Sequence, residues 1–129
     1  MSFTPSTLYY ASAAINLLTI PKHFLVGQQH VSKAIDAIPS TPQHARGKSI
    51  AFTTWEYAMG ALFVTATLNY KWGKTGGPRS FEDKVALWAI TATGTVVGWT
   101  YYQVGMYVGL GCLWVAPWLS VAALVWSSR

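Results

Sequence analysis

Few side chains in this sequence have the chemistry to act on a ligand, and the first is Glu56. It lies in an apolar run, residues 49–70, long enough to cross a bilayer. A carboxylate at bilayer depth costs about 2.5 to 3.5 kcal/mol on insertion scales, so it must be shielded, paired or protonated. That makes Glu56 the candidate general acid/base. His23 is its candidate proton partner, because it follows the first apolar segment on the side from which Glu56 enters the second. Asn16 lies seven residues before His23, close to two helical turns, so the two share a stripe with Tyr9 and Ser12 if the helix runs through Pro21. The alternative is structural: a neutral Glu56 hydrogen-bonded to Asn16 or to a backbone carbonyl, serving helix packing.

Tyr101, Tyr102 and Trp99 form a second candidate group, with Gln103 and Tyr107 beside them. Such a cluster reads as an interfacial aromatic belt, or as a flat wall for a lipophilic ring with a phenol as hydrogen-bond donor.

Other chemistries are poorly served. His23 and His30 would stand about 10 Å apart along a continuous helix, too far to share a metal ion. No His-x-x-x-His or Glu-x-x-His pair occurs, so no metal site is expected, and no motif names a cofactor. Gly73-Lys74-Thr75 lacks the first glycine of a phosphate-binding loop, since that position is Leu68. There is no nucleophile elbow and no dinucleotide fingerprint. Cys112 is the only cysteine, which excludes an intrachain disulfide and reads as a small packing residue.

The elements that must hold these residues follow from composition. The chain has 129 residues, 52% hydrophobic and only 10% charged, well below the roughly 25% charged of a soluble domain, so a membrane protein is expected. The expected fold is all-α, a four-helix transmembrane bundle forming a single domain, with spans at 3–20, 49–70, 85–104 and 109–126. The last two come from one apolar tract, 85–126, too long for a single crossing, which must reverse near 103–111 where Gly105, Gly109 and Gly111 allow a turn.

Between the first two spans, Val31, Ala34, Ile35 and Ile38 recur at helical spacing opposite Gln29, Lys33 and Asp36, so a short interfacial helix is expected at 28–38. A polar connector, 39–48, follows it. After the second span, Gly76-Gly77-Pro78 reads as a turn, and Ser80 with Asp83 as a helix start. Gly94-x-x-x-Gly98 permits close approach of another helix, from this chain or from a second copy, homo- or hetero-oligomeric.

The formal net charge is +5, but no basic helix face or nucleic-acid motif accompanies it, so nucleic acid is excluded and contact with lipid headgroups is expected. Lys22, Lys33, Arg46 and Lys48 fall in the first connection and Lys71, Lys74, Arg79 and Lys84 in the second, with Arg129 last. That near balance does not orient the chain by the positive-inside rule. The first apolar segment has no basic region before it, so it is expected as a retained span rather than a secretory signal. No sequon, lipidation ending or retrieval tetrapeptide assigns a compartment, and the endoplasmic reticulum is the default expectation.

The segment NLLTIPKHFLVG at 16–27, the Gly76-Gly77-Pro78 turn followed by Glu82-Asp83-Lys84, and Gly111-Cys112-Leu113-Trp114 with Pro117 resemble small four-helix membrane proteins of filamentous fungi. The resemblance covers most of the chain. It implies a membrane bundle and brings no catalytic residues.

Two functions are therefore expected in alternative. In one the protein is a membrane-embedded enzyme or catalytic accessory acting on a lipophilic small molecule, as in fungal secondary metabolism, with Glu56 as acid/base, His23 and Asn16 orienting it, and Tyr101, Tyr102 and Trp99 lining the pocket. In the other it is a non-enzymatic assembly or lipid-organising subunit, with Glu56 as a structural contact.

Overall fold

The computed structural model describes residues 4–128, so Phe3 and Arg129 lie outside the described residues. Among them the chain is all-helical, with long helices α1 (Pro5–Val26), α3 (Pro42–Thr75) and α4 (Phe81–Gln103), a short α2 (Ser32–Asp36), and a last helical stretch that ends in α5 (Ala116–Ser127).

The first helix starts where local chemistry favours it. Thr4 and Thr7 form a reciprocal capping box and Pro5 sits in the first turn, where its missing N–H is no loss. The helix does not stop at Pro21. It passes through, widens into a π-helical turn at Gly27–Val31 and continues into α2. The separate interfacial helix expected at 28–38 is thus corrected to the tail of one helical path. Beyond the proline the path stays packed on α3, with the indole of Trp55 lying against Gly27 where a Cβ would otherwise stand.

The expected connector, 39–48, is corrected as well. Thr41 and Pro42 start α3, because proline at the first helical position is preorganised, so only residues 37–41 link the two helices. Its polar residues Gln43 and Arg46 are exposed, which a helix accommodates as well as a loop does.

Along the chain successive long helices run antiparallel, and α1 packs against both α3 and α5. Along α1 and α3, Tyr9 meets Trp72, Tyr10 meets Tyr70 and His23 meets Trp55, so residue numbers fall on one helix as they rise on the other. On the other side of α1, Tyr9 packs in one cluster with Val121 and Ala123, together with Trp72 and Leu87, while Ile15 approaches Gly111.

The α4/α5 hairpin is closed by complementary shapes. Pro117 has no N–H to give to the carbonyl of Leu113, four residues earlier. That carbonyl lies directly on Gly94, where a Cβ would be 2.5 Å from its oxygen. One turn on, Gly98 receives the Trp114 indole, which donates to Thr95 O at 3.1 Å, and Trp118 Nε1 donates to Thr95 Oγ1 at 3.2 Å. The Gly94/Gly98 face, expected as a contact for this chain or for another copy, is occupied by the chain's own last helical stretch.

The end that joins α3 to α4 is equally defined. Gly76 takes the left-handed conformation that ends α3, and the Ser80 hydroxyl accepts from Asp83 N to start α4, a cap worth about 1 kcal/mol. Lys71 Nζ donates to both oxygens of Asp83, at 2.9 and 3.1 Å.

Polarity is distributed unusually. Ser12, Asn16, Asn69, Thr91 and Ser120 are buried, whereas Leu17, Leu18, Phe63, Val64, Trp88 and Val96 are among many large apolar residues left exposed. Inside, Ser120 Oγ donates to Asn69 Oδ1 at 2.5 Å. One stretch among the described residues, Tyr107–Ser127, is long and apolar enough to cross a membrane. It corresponds to the last of the four expected spans.

Candidate functional site

Glu56 lies on α3, half-buried, and has no hydrogen-bond or ion partner among the described residues. His23 comes to the same level of the bundle but engages the preceding residue instead. Its Nε2 lies 2.8 Å from Trp55 O, and its ring stacks on the Trp55 indole with centroids 3.9 Å apart and planes 10° from parallel. A carbonyl oxygen only accepts, so His23 Nε2 carries a hydrogen and donates it. One nitrogen of the expected proton partner is therefore engaged by backbone. Together, the stacked pair and Gly27 beneath the indole make a clamp between α1 and α3.

Asn16 is buried, as its stripe position implies, yet it does not reach the acid or the imidazole. Its Nδ2 donates to Ser12 O at 2.8 Å, one turn back on the same helix. Asn69 repeats this pattern, donating to Thr65 O at 2.9 Å while its Oδ1 receives Ser120. The register along α1 and α3 sets Ser12 at the level of Asn69, and the Ser12 hydroxyl is buried without a partner.

The aromatic group divides. Tyr102 stacks with Trp99 at 5.8 Å and with Trp114 at 6.0 Å, and meets Tyr107 at 5.9 Å, forming an outward cluster whose rings other than Trp114 are largely exposed. Tyr101 turns the other way, its ring lying over Gly109, where a Cβ would come within 2.6 Å. Adjacent residues on a helix point about 100° apart, which suffices to put one phenol on the surface and the other in the hairpin. No group of three metal-ligating side chains converges among the described residues.

At the opposite end, Lys71 holds the Asp83 carboxyl below the usual carboxylate range. The Trp72 indole N–H lies close enough to favour the charged form further, though without a hydrogen bond of good geometry. Neither the Lys71–Asp83 pair nor the Asn69–Ser120 pair was singled out from sequence. Each joins residues far apart in the chain, and no local spacing announces it.

A shallow groove of about 370 Å³ opens between α1 and α3, floored by Ala13 and Ala66 and walled by Tyr10, Leu17, Phe63 and Tyr70. Its surface is almost wholly apolar. Thr67 also borders it, but turns its hydroxyl back to Phe63 O at 2.9 Å.

No protein-family model, curated protein or solved structure matches this chain.

Proposed function

We propose that this chain is a multi-pass membrane protein in which α1, α3 and α4 cross the bilayer alongside the last helical stretch, and that it works as an assembly or lipid-organising subunit. The observation that carries the reading is the inverted polarity: small polar groups lie inside and large apolar side chains outside. Ser12 and Asn16 on α1 and Thr91, Gly94 and Gly98 on α4 are among the residues that face inward. Exposed positions of α1 from Tyr10 to Pro21 are all apolar.

Hydroxyls support the same reading. Thr53, Thr67 and Thr95 donate to the carbonyl four residues back, at 2.7 to 2.9 Å, which satisfies their donors without water. Along α3 itself, Glu56 is the one charged side chain between Lys48 and Lys71, a run of about 33 Å, matching a hydrocarbon core of about 30 Å.

A structural role for the polar residues is supported by the clamp, since His23 binds Trp55 rather than the acid. The unpartnered Glu56 then serves as the group that a partner helix or a lipid headgroup donor engages. The catalytic alternative rests on that same free carboxyl. Alkaline carbonate extraction and tagged-terminus accessibility test the membrane reading: the chain stays in the pellet with both termini on one side. Release into the supernatant, or termini on opposite sides, refutes it. Glu56→Gln tests the role, because a subunit that needs only a hydrogen bond keeps its cellular phenotype and a proton-transfer catalyst loses it.

A further inference from the structure

We propose that the groove between α1 and α3 holds one acyl chain of an anionic phospholipid whose phosphate is bound by Lys74. This rests on the reading that both helices stand in a bilayer. The groove follows the helices, from Tyr10 to Leu17 on one wall and from Tyr70 to Phe63 on the other, so its axis is that of a lipid chain. Seven helical steps along each wall give a length of about 10 Å. Small side chains at Ala13 and Ala66 make the floor, and Thr67 presents a methyl rather than a hydroxyl because its donor is bound to backbone. A chain of methylenes fits this surface. A ring with hydroxyl groups would find no polar partner along it.

The headgroup end is decided by charge. Tyr10 and Tyr70, with centroids 5.8 Å apart, close one end of the groove, and Lys74 Nζ sits 5.8 Å from the Tyr70 centroid. Lys71, the other cation of that turn, is committed to Asp83. Lys74 has no carboxylate partner among the described residues, and neither phenol is hydrogen-bonded to them. An ammonium and two phenol donors at the mouth of an apolar slot complement a phosphodiester above an acyl chain. Lys71, Lys74, Arg79 and Lys84 outnumber Glu82 and Asp83 at this end, which favours an anionic over a zwitterionic headgroup.

Native mass spectrometry of the full chain, purified from micelles containing equal amounts of phosphatidylserine and phosphatidylcholine, tests the site. Wild type retains phosphatidylserine in preference. Lys74→Gln lowers that preference about fivefold, the factor that about 1 kcal/mol per basic residue at a membrane surface gives. Ala14→Phe, at an exposed position bordering the groove, lowers retention of both lipids, while Arg46→Gln at the opposite end changes neither. Equal retention of the two lipids by wild type, an unchanged preference in Lys74→Gln, or an equal loss in Arg46→Gln overturns the proposal. Should Ala14→Phe fail to fold by circular dichroism, Lys74→Gln, an exposed side chain, decides alone. Release by carbonate would instead refute the membrane reading, so the two failures are distinct.

Discussion

Replacing Gly94 by alanine isolates the contact that closes the α4/α5 hairpin. Both Gly94 and Gly60 are helical, so a Gly→Ala change at either gains about 0.4 to 1 kcal/mol by reducing the freedom of the unfolded chain. They differ in what the new methyl meets. At Gly60 there is nothing within 4 Å, and the gain stands alone. At Gly94 the Cβ would lie 2.5 Å from Leu113 O, a backbone atom on a helix pinned by Trp114 and Trp118 to Thr95. Relieving the overlap means moving one helix from the other, and overpacking of this kind costs about 1 to 3 kcal/mol. Moving apart also lengthens both indole hydrogen bonds, each worth about 0.5 to 1.5 kcal/mol. The net expectation is that Gly94→Ala loses about 1 to 3 kcal/mol while Gly60→Ala gains up to about 1 kcal/mol. Equilibrium unfolding in detergent, followed by tryptophan fluorescence, measures the difference. A Gly94→Ala protein as stable as Gly60→Ala would refute the packing of the hairpin described above.

Other perturbations follow from the same contacts. Ser120→Ala leaves Asn69 Oδ1 buried without its partner and costs about 1 to 3 kcal/mol in the same unfolding assay; adding Asn69→Leu recovers part of the loss, because both polar groups are then gone. His23→Phe keeps the stack on Trp55 but removes the donor to Trp55 O, lowering stability by about 0.5 to 1.5 kcal/mol, whereas His23→Ala loses more. The Lys71–Asp83 pair gives a pH dependence. Asp83 is held below its ordinary value, so its contribution is full above the unfolded carboxylate range and is lost as pH falls through the lowered folded value. Lys71→Gln brings the Asp83 carboxyl back toward its ordinary range, and a pH titration of the unfolding midpoint then shows a weaker loss on acidification; an unchanged profile would remove Asp83 as its source.

The local chemistry of the chain was readable residue by residue. Low charge and long apolar runs determine helices, Ser80 with Asp83 determines where α4 begins, and Gly76-Gly77-Pro78 determines where the chain turns, because each depends only on near neighbours in sequence. The stripe that buries Tyr9, Ser12 and Asn16 was legible for the same reason: helical spacing alone places them together. What the tertiary structure decided is who meets whom. His23 was expected at Glu56 and meets Trp55, one residue away, because register between two helices depends on which side chains interlock, here an indole over Gly27. Gly94 could serve any helix by sequence, and the close approach of the Leu113 carbonyl is what seats it against this one. Tyr101 and Tyr102 look equivalent in a chain apolar on nearly every face, and only the fold of the hairpin turns one inward. Intervals along a helix are set by its fixed geometry, but contacts between helices are set by the fit of surfaces, and that fit belongs to the folded molecule.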